Sequence, residues 1–230
     1  MMADPAGATR ADTYVFDAYG TLFDVHSAVN RHHAEIGDVA TQLSNLWRDK
    51  QLQYTWIRAM TGRHQPFNIV TAAALDFAIE SVGGLRGGMR ETLLEAYMTL
   101  DAYPEVPQVL AGLKTRGATL AILSNGTPDM LDAAVRSAGL DDVFDAVISI
   151  EEIGIYKPDM RVYQMTCDRF DVSPDAVTFQ SSNRWDIAGA KAFGYRCYWV
   201  NRFAAPDEFP DMAPDAVFPS LSPLLEHQGG

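Results

Sequence analysis

Five short apolar runs, each passing into polar residues and separated by helix-length segments, constrain the fold of this chain more than any other feature. TYVFD, residues 13–17, is β-branched and aromatic and closes on Asp17. ATLAIL, residues 118–123, runs into Ser124 and Asn125, and FDAVIS follows at 144–149. AVTFQ, residues 176–180, runs into Ser181, Ser182 and Asn183. YRCYWV occupies 195–200, and a shorter sixth run, DAVF, occupies 215–218. Near-continuous apolar runs of this length suit parallel strands buried on both faces. The segments 104–116, 128–138, 158–170 and 185–193 repeat apolar residues with the helical period. Pro stands near several of their starts, and Gly139 and Gly194 close two of them. The alternation predicts an α/β fold, a Rossmann-like parallel sheet with helices on both faces.

One section interrupts the alternation. Between Phe23 and Met98 no segment reads as a strand. Residues 41–60 predict a long helix with Leu43, Trp47, Tyr54 and Ile57 on one stripe and Arg48, Leu52, Trp56 and Ala59 on a second. Residues 71–82 and 89–100 predict two more helices, joined by the GGLRGG turn at 83–88. The economical arrangement is a helical cap subdomain, 22–97, inserted into a core built from 12–21 and 98–226. Such a cap would sit over the C-terminal edge of the sheet, where open α/β sheets bind ligands.

That edge gathers chemistry. Asp17, Ser124, Asn125, Ser181, Asn183 and Asp186 all fall at or just past predicted strand ends, and Lys157 stands in the loop after the third strand. Taken singly, each has an ordinary explanation: Asp, Ser and Asn cap helices and turns, and a loop lysine is normally solvated. Taken together, complementary polar groups at four ends of one parallel sheet predict an active site.

Composition sets the outer bounds. Hydrophobic residues make up 47% of the 230-residue chain and charged ones 21%, which is a globular composition. The formal charge of −12 disfavours unspecific binding to nucleic acid or anionic membrane. Two cysteines, Cys167 and Cys197, make no disulfide framework and read as thiols of a reducing compartment. The N-terminus has no apolar signal core and no stretch is long enough to span a bilayer, so a cytoplasmic protein is expected. There is no GxGxxG and no P-loop, and the five histidines make no metal-binding spacing; His32 and His33 read as surface residues.

VFDAYGTLFDVHS at 15–27, LWRDKQLQYTW at 46–56, AILSNG at 121–126, YKPDMRVY at 156–163 and SSNRWDIAGAKAFG at 181–194 resemble the (S)-2-haloacid dehalogenases, a branch of the haloacid dehalogenase-like hydrolases. The resemblance runs from about Thr13 to Arg202. It implies hydrolysis of short (S)-2-haloalkanoic acids to (R)-2-hydroxy acids through an aspartyl ester, without cofactor or metal. Asp17 matches the nucleophile and Thr21 the hydroxyl that holds it. Arg48 and Asn125 match the halide cradle, and Ser124 the residue that binds the substrate carboxylate. Lys157 matches the cation beside the nucleophile, with Tyr163 in its support. Ser181, Asn183 and Asp186 match the group that steadies Lys157 and the hydrolytic water. Tyr19, Leu52, Phe67 and Trp185 match the apolar substrate pocket. The partners implied are the 2-haloacid, water, the halide product and a second copy of the chain in a homodimer.

Two residues depart from the family pattern: Asp49 stands where Gln is usual and Gln180 where Val is usual. The alternative activity is a magnesium-dependent phosphatase of the same superfamily. That chemistry typically uses a second acid two residues after the nucleophile, and here that position is Tyr19, a poor ligand for a hard cation. An interaction module, the alternative of another class, would more readily have lost Asp17 or Lys157.

Overall fold

The structure, a computed structural model, describes residues 12–226. The N-terminal segment, where a signal core was not expected, and His227 lie outside the described residues. Six strands form one parallel sheet: β1 Thr13–Phe16, β2 Thr119–Ser124, β3 Ala146–Ser149, β4 Val177–Ser181, β5 Arg196–Val200 and β6 Ala216–Phe218. Their order is β3-β2-β1-β4-β5-β6, with every pair parallel. The winding reverses beside β1, so the crevice past its C-terminal end is the expected ligand position. Phe16 registers with Ile122 on one side and Gln180 on the other, which brings Asp17, Ser124 and Ser181 to one edge.

Three short elements and three long ones follow β1 before the sheet resumes. They are helices α1 Ser27–Asn30 and α2 His33–Ile36, a 3-10 turn Gly37–Val39, and helices α3 Ala40–Thr61, α4 Phe67–Ser81 and α5 Met89–Met98. No strand of the sheet lies within this section, which forms the helical cap. The core helices are α6 Val106–Thr115, α7 Pro128–Ser137, α8 Met160–Phe170 and α9 Arg184–Phe193.

Helix α3 corrects the expected apolar stripe. Its inward face is Ala40, Leu43, Ser44, Trp47, Gln51 and Thr55, while Ile57 is 47% exposed. The face continues through polar side chains because they are hydrogen-bonded: Gln51 Nε2 donates to Thr71 Oγ1 at 2.7 Å, and Thr55 Oγ1 to the Leu52 carbonyl. The second stripe, Arg48, Leu52, Trp56 and Ala59, is half-buried along its length. Two helix starts also differ. Pro158 precedes α8, whose first turn is capped by Asp159 accepting from the Arg161 N–H. Helix α4 begins at Phe67, four residues before the expected start, because Glu151 of the core accepts the Phe67 N–H at 3.0 Å and so caps the helix from outside.

The two departures from the family pattern lie in different surroundings. Asp49 is exposed on α3. Gln180 is fully buried in β4, and neither of its side-chain amide atoms has a partner among the described residues. A buried amide without partners costs free energy that an apolar side chain of similar length does not. Gln180→Met is therefore expected to raise unfolding free energy by about 1–3 kcal/mol. A shift of the urea midpoint to higher concentration with unchanged slope would register it.

Candidate active site

Asp17 sits at the first position beyond β1, 6% exposed. Its two oxygens are treated differently. Oδ2 receives Asn183 Nδ2 at 2.8 Å, Thr21 Oγ1 at 3.1 Å and Ser181 Oγ at 3.4 Å. Oδ1 faces Lys157 Nζ at 3.2 Å. The carboxylate is thus held by three neutral donors on one side and one cation on the other.

Lys157 is the centre of a buried charge cluster. It is 1% exposed and also binds Asp186 Oδ2 at 2.9 Å, while Asp186 is fully buried. Burial opposes the ammonium charge, but Asp17 and Asp186 outweigh it and raise the Lys157 pKa. Burial and the nearby Asp17 charge push Asp186 up to about 6, against the pull of Lys157. Tyr163 acts through this acid: its hydroxyl donates to Asp186 Oδ1 at 2.9 Å. The Lys157 backbone is fixed from β2, since its N–H donates to Asn125 Oδ1 at 3.1 Å.

The resemblance implies that Ser181, Asn183 and Asp186 form the group that steadies Lys157 and the hydrolytic water. In the structure only Asp186 touches Lys157; the side chains of Ser181 and Asn183 reach Asp17 instead. Ser124 is fully buried, and its Oγ accepts the Gly126 N–H at 3.2 Å. That bond leaves the Ser124 proton to be donated elsewhere.

Arg48 reaches across from the cap. Its Nη2 donates to the Tyr19 carbonyl at 3.1 Å and to Asn183 Oδ1 at 3.2 Å, and its Nη1 to Gln51 Oε1 at 2.9 Å. Asn183 therefore joins Asp17 and the cap arginine through one amide. The apolar wall is aromatic. Tyr19 lies 5.5 Å from Phe67 and 5.6 Å from Tyr97, centroid to centroid. Burial pushes the Tyr19 phenol well above its ordinary pKa, so it stays neutral, and its oxygen has no partner among the described residues. Leu52 is half-buried outside the main core, one turn from Arg48. Trp185 meets Trp56 edge-on at 5.5 Å. These two tryptophans, with Met60, Tyr156 and Pro158, line an apolar cavity of about 410 Å³ between cap and core.

Residues absent from the sequence reading support the site. The Ser182 N–H donates to Thr21 Oγ1 at 2.8 Å, fixing the hydroxyl that holds Asp17. Arg202 donates to the Thr21 carbonyl at 2.7 Å and pairs with Glu105. Ser182 was readable as a neighbour of Ser181; Arg202 and Gln51 gave no local signal. His64, half-buried, pairs with Glu151 at 2.9 Å, and His26 with Ser44 at 2.7 Å, so both serve contacts within the protein. Among the described residues no group of three His, Cys, Asp or Glu is placed to hold a metal ion.

A clamped carboxylate at a strand end, a buried lysine beside it and a helical cap over the sheet edge mark out a site of a particular class. A model of haloacid dehalogenase-like hydrolases matches residues 11–194. (S)-2-haloacid dehalogenase 1 of Pseudomonas sp. (strain CBS-3) is 50% identical over 91% of this chain and 93% of its own. (S)-2-haloacid dehalogenase 4A of Burkholderia cepacia is 46% identical over 85% of each chain. The crystal structure of L-2-haloacid dehalogenase from Xanthobacter autotrophicus with chloropropionic acid covalently bound superposes with a TM-score of 0.86 at 36% identity, covering 94% of this chain and 98% of that one. The chain belongs to the haloacid dehalogenase-like hydrolases and, within them, to the (S)-2-haloacid dehalogenase family.

Close packing behind the cluster depends on Gly189. A Cβ there would stand 2.5 Å from the Tyr163 hydroxyl and 2.6 Å from Pro158 Cβ. Gly189→Ala must displace the supports of both Asp186 and Lys157. It is expected to cost about 1–3 kcal/mol of stability, with a lower Tm and reduced turnover. Calorimetry and halide release would measure the two effects.

Proposed function

We propose that the protein hydrolyses short (S)-2-haloalkanoic acids to (R)-2-hydroxy acids through an ester on Asp17. The observation that carries this reading is the asymmetric clamp on that carboxylate. Three donors immobilise Oδ2, whereas Oδ1 has one partner, Lys157, and retains lone-pair capacity for attack. Opposite it, Arg48 has only neutral acceptors and keeps its full charge for an anion.

In the first step Asp17 Oδ1 bonds to C2 and the C–halogen electron pair leaves with the halide. Charge grows on the halogen, where the Arg48 guanidinium and the Asn125 amide lower its energy. The Ser124 hydroxyl binds the substrate carboxylate, and the Tyr19, Leu52, Phe67 and Trp185 walls exclude bulk water. In the second step water attacks the Asp17 carbonyl carbon, the acyl C–O bond breaks, and the hydroxy acid departs. Asp186 accepts a proton from the attacking water and returns it to the departing alkoxide oxygen, the regenerated Asp17 acid loses its proton to solvent, and Lys157 offsets the charge that accumulates. Ser181 and Asn183 keep the Asp17 side chain in register through both steps. Thr21 and Tyr163 hold Asp17 and Asp186 respectively.

The phosphatase alternative is weakened by Tyr19, whose ring packs against Phe67 and Tyr97 at the position where a second metal acid is needed. We take 22–97 as the cap and 12–21 with 98–226 as the core. The exposed Ile57, Met60, Ile69 and Phe77 of α3 and α4 favour a homodimer. The free thiols Cys167 and Cys197 suit a reducing cytoplasm.

Oxygen tracing tests the covalent route. In one turnover in labelled water with (S)-2-chloropropionate, the product hydroxyl should be unlabelled and Asp17 should carry the label. Labelled product with unlabelled Asp17 would make Asp17 a general base instead.

The acid–base assignment has a pH consequence. Asp186 serves as base only when ionised, and its pKa is raised to about 6. In the ester Asp17 is uncharged and no longer helps to raise Asp186, so ester hydrolysis should fall as pH drops through a value below about 6 and level off above it. Lys157, raised above its ordinary value, stays charged across that range. Rapid-quench measurement of ester decay against pH would read this limb, and a flat profile would remove Asp186 as the base.

A further inference from the structure

We infer that Gln51 is the positioning residue for the halide-binding guanidinium, holding Arg48 on the cap while leaving its charge unquenched. The inference rests on the reading of Arg48 as halide acceptor.

The argument begins with what Arg48 lacks. Among the described residues no carboxylate lies within ion-pairing distance of it. An arginine has a long, flexible side chain, and an anion-stabilising group is effective only when it is already aimed at the developing charge. A carboxylate partner would aim it but would also offset the positive charge the halide needs. The structure uses neutral acceptors instead: the Tyr19 carbonyl, the Asn183 amide oxygen and Gln51 Oε1. The first two belong to the core side of the cleft. Gln51 belongs to the cap, three residues along α3 from Arg48 and therefore on the same helical face, and the neutral Tyr97 hydroxyl of α5 stands beside the same guanidinium.

Gln51 is itself immobilised. It is 1% exposed. Its Oε1 accepts from Arg48 Nη1 and from the Tyr97 hydroxyl at 3.1 Å, and its Nε2 donates to Thr71 Oγ1 at 2.7 Å. A guanidinium only donates, so the atom facing Arg48 must be the amide oxygen, and the orientation of the amide is settled by chemistry. Burial raises the Tyr97 pKa, so that phenol remains a donor. Thr71 is fixed in turn, since its carbonyl accepts Trp47 Nε1 at 2.9 Å. One amide therefore fastens α3 to α4 and α5 at the level of the halide-binding arginine. A methionine there would fill similar space but release Arg48 Nη1, Tyr97 and Thr71 from their common partner. A glutamate would keep the acceptors and add a negative charge 2.9 Å from the guanidinium, at the Arg48–Gln51 distance.

The test is single-turnover kinetics on the whole enzyme, with (S)-2-chloropropionate and (S)-2-bromopropionate, for the wild type, Arg48→Lys, Gln51→Met, Gln51→Glu and the Arg48→Lys/Gln51→Met double variant. Arg48→Lys should slow ester formation. Gln51→Met and Gln51→Glu should each slow ester formation by about 10- to 100-fold, leave ester hydrolysis within about twofold, and penalise chloride, the poorer leaving group, more than bromide. The double variant should be no slower than Arg48→Lys alone, because the glutamine acts through the arginine. Thr71→Val, which removes the acceptor of the Gln51 Nε2 and leaves the groups around Arg48 in place, should slow the same step by a smaller factor and covers the case in which a Gln51 variant fails to fold. If ester formation keeps its wild-type rate in Gln51→Met, or both steps fall alike, or the losses multiply in the double variant, Gln51 only packs the cap and the inference is overturned. If Arg48→Lys itself leaves ester formation intact, the halide reading of Arg48 falls as well.

Discussion

A lysine ammonium buried between two aspartates is the constraint from which the rest of this molecule follows. Lys157 is 1% exposed, with Asp17 and Asp186 at 3.2 and 2.9 Å. Desolvating three charges is costly unless every remaining lone pair finds a donor. The fold supplies those donors from separate elements: Thr21 from the turn after β1, Ser181 from the end of β4, Asn183 from the cap of α9 and Tyr163 from α8. A parallel sheet whose winding reverses beside β1 is well suited to bring so many chain segments to one point. One negative charge is in excess within the trio when both aspartates are ionised, so the lysine alone does not neutralise them.

The cap solves the opposite electrostatic problem. Around Asp17 charge is balanced; around Arg48 it is left exposed to whatever enters. Neutral carbonyl and amide oxygens orient the guanidinium, and the buried rings of Tyr19 and Tyr97, themselves packed on Phe67 and Trp47, stand near it. In such surroundings an unpaired cation attracts an anion far more strongly than it does in water.

Much of this was legible in the sequence, for identifiable reasons. Strands buried on both faces leave unbroken apolar runs, so all six were found close to their observed bounds, and the polar residues past them marked the site. What stayed hidden depends on contacts between distant segments. Gln51 and Thr55 continue the buried face of α3, but a pattern of apolar residues passes over them and selects Ile57 instead. The start of α4 was misplaced because its cap, Glu151, is 84 positions away in the chain. The partners of Ser181 and Asn183 depended on which oxygen of Asp17 they reach, and that is a matter of three-dimensional aim. Gln180 was recognisable as unusual, but only its burial shows it without partners.

Glu151 has a consequence beyond helix capping. It accepts the Phe67 N–H and pairs with His64, while the Tyr156 hydroxyl donates to the Gln65 carbonyl at 2.5 Å. These contacts stitch the α3–α4 corner to the core loop at 150–156, on top of the covalent links at both ends of the insertion. A lid sewn down along a second seam does not swing like a door, because each excursion would tear a helix cap and a side-chain hydrogen bond together. Tyr156, a stitch of that seam, also lines the apolar vestibule where Trp56 and Trp185 meet edge to face, so the seam that holds the lid down gives that vestibule one of its walls.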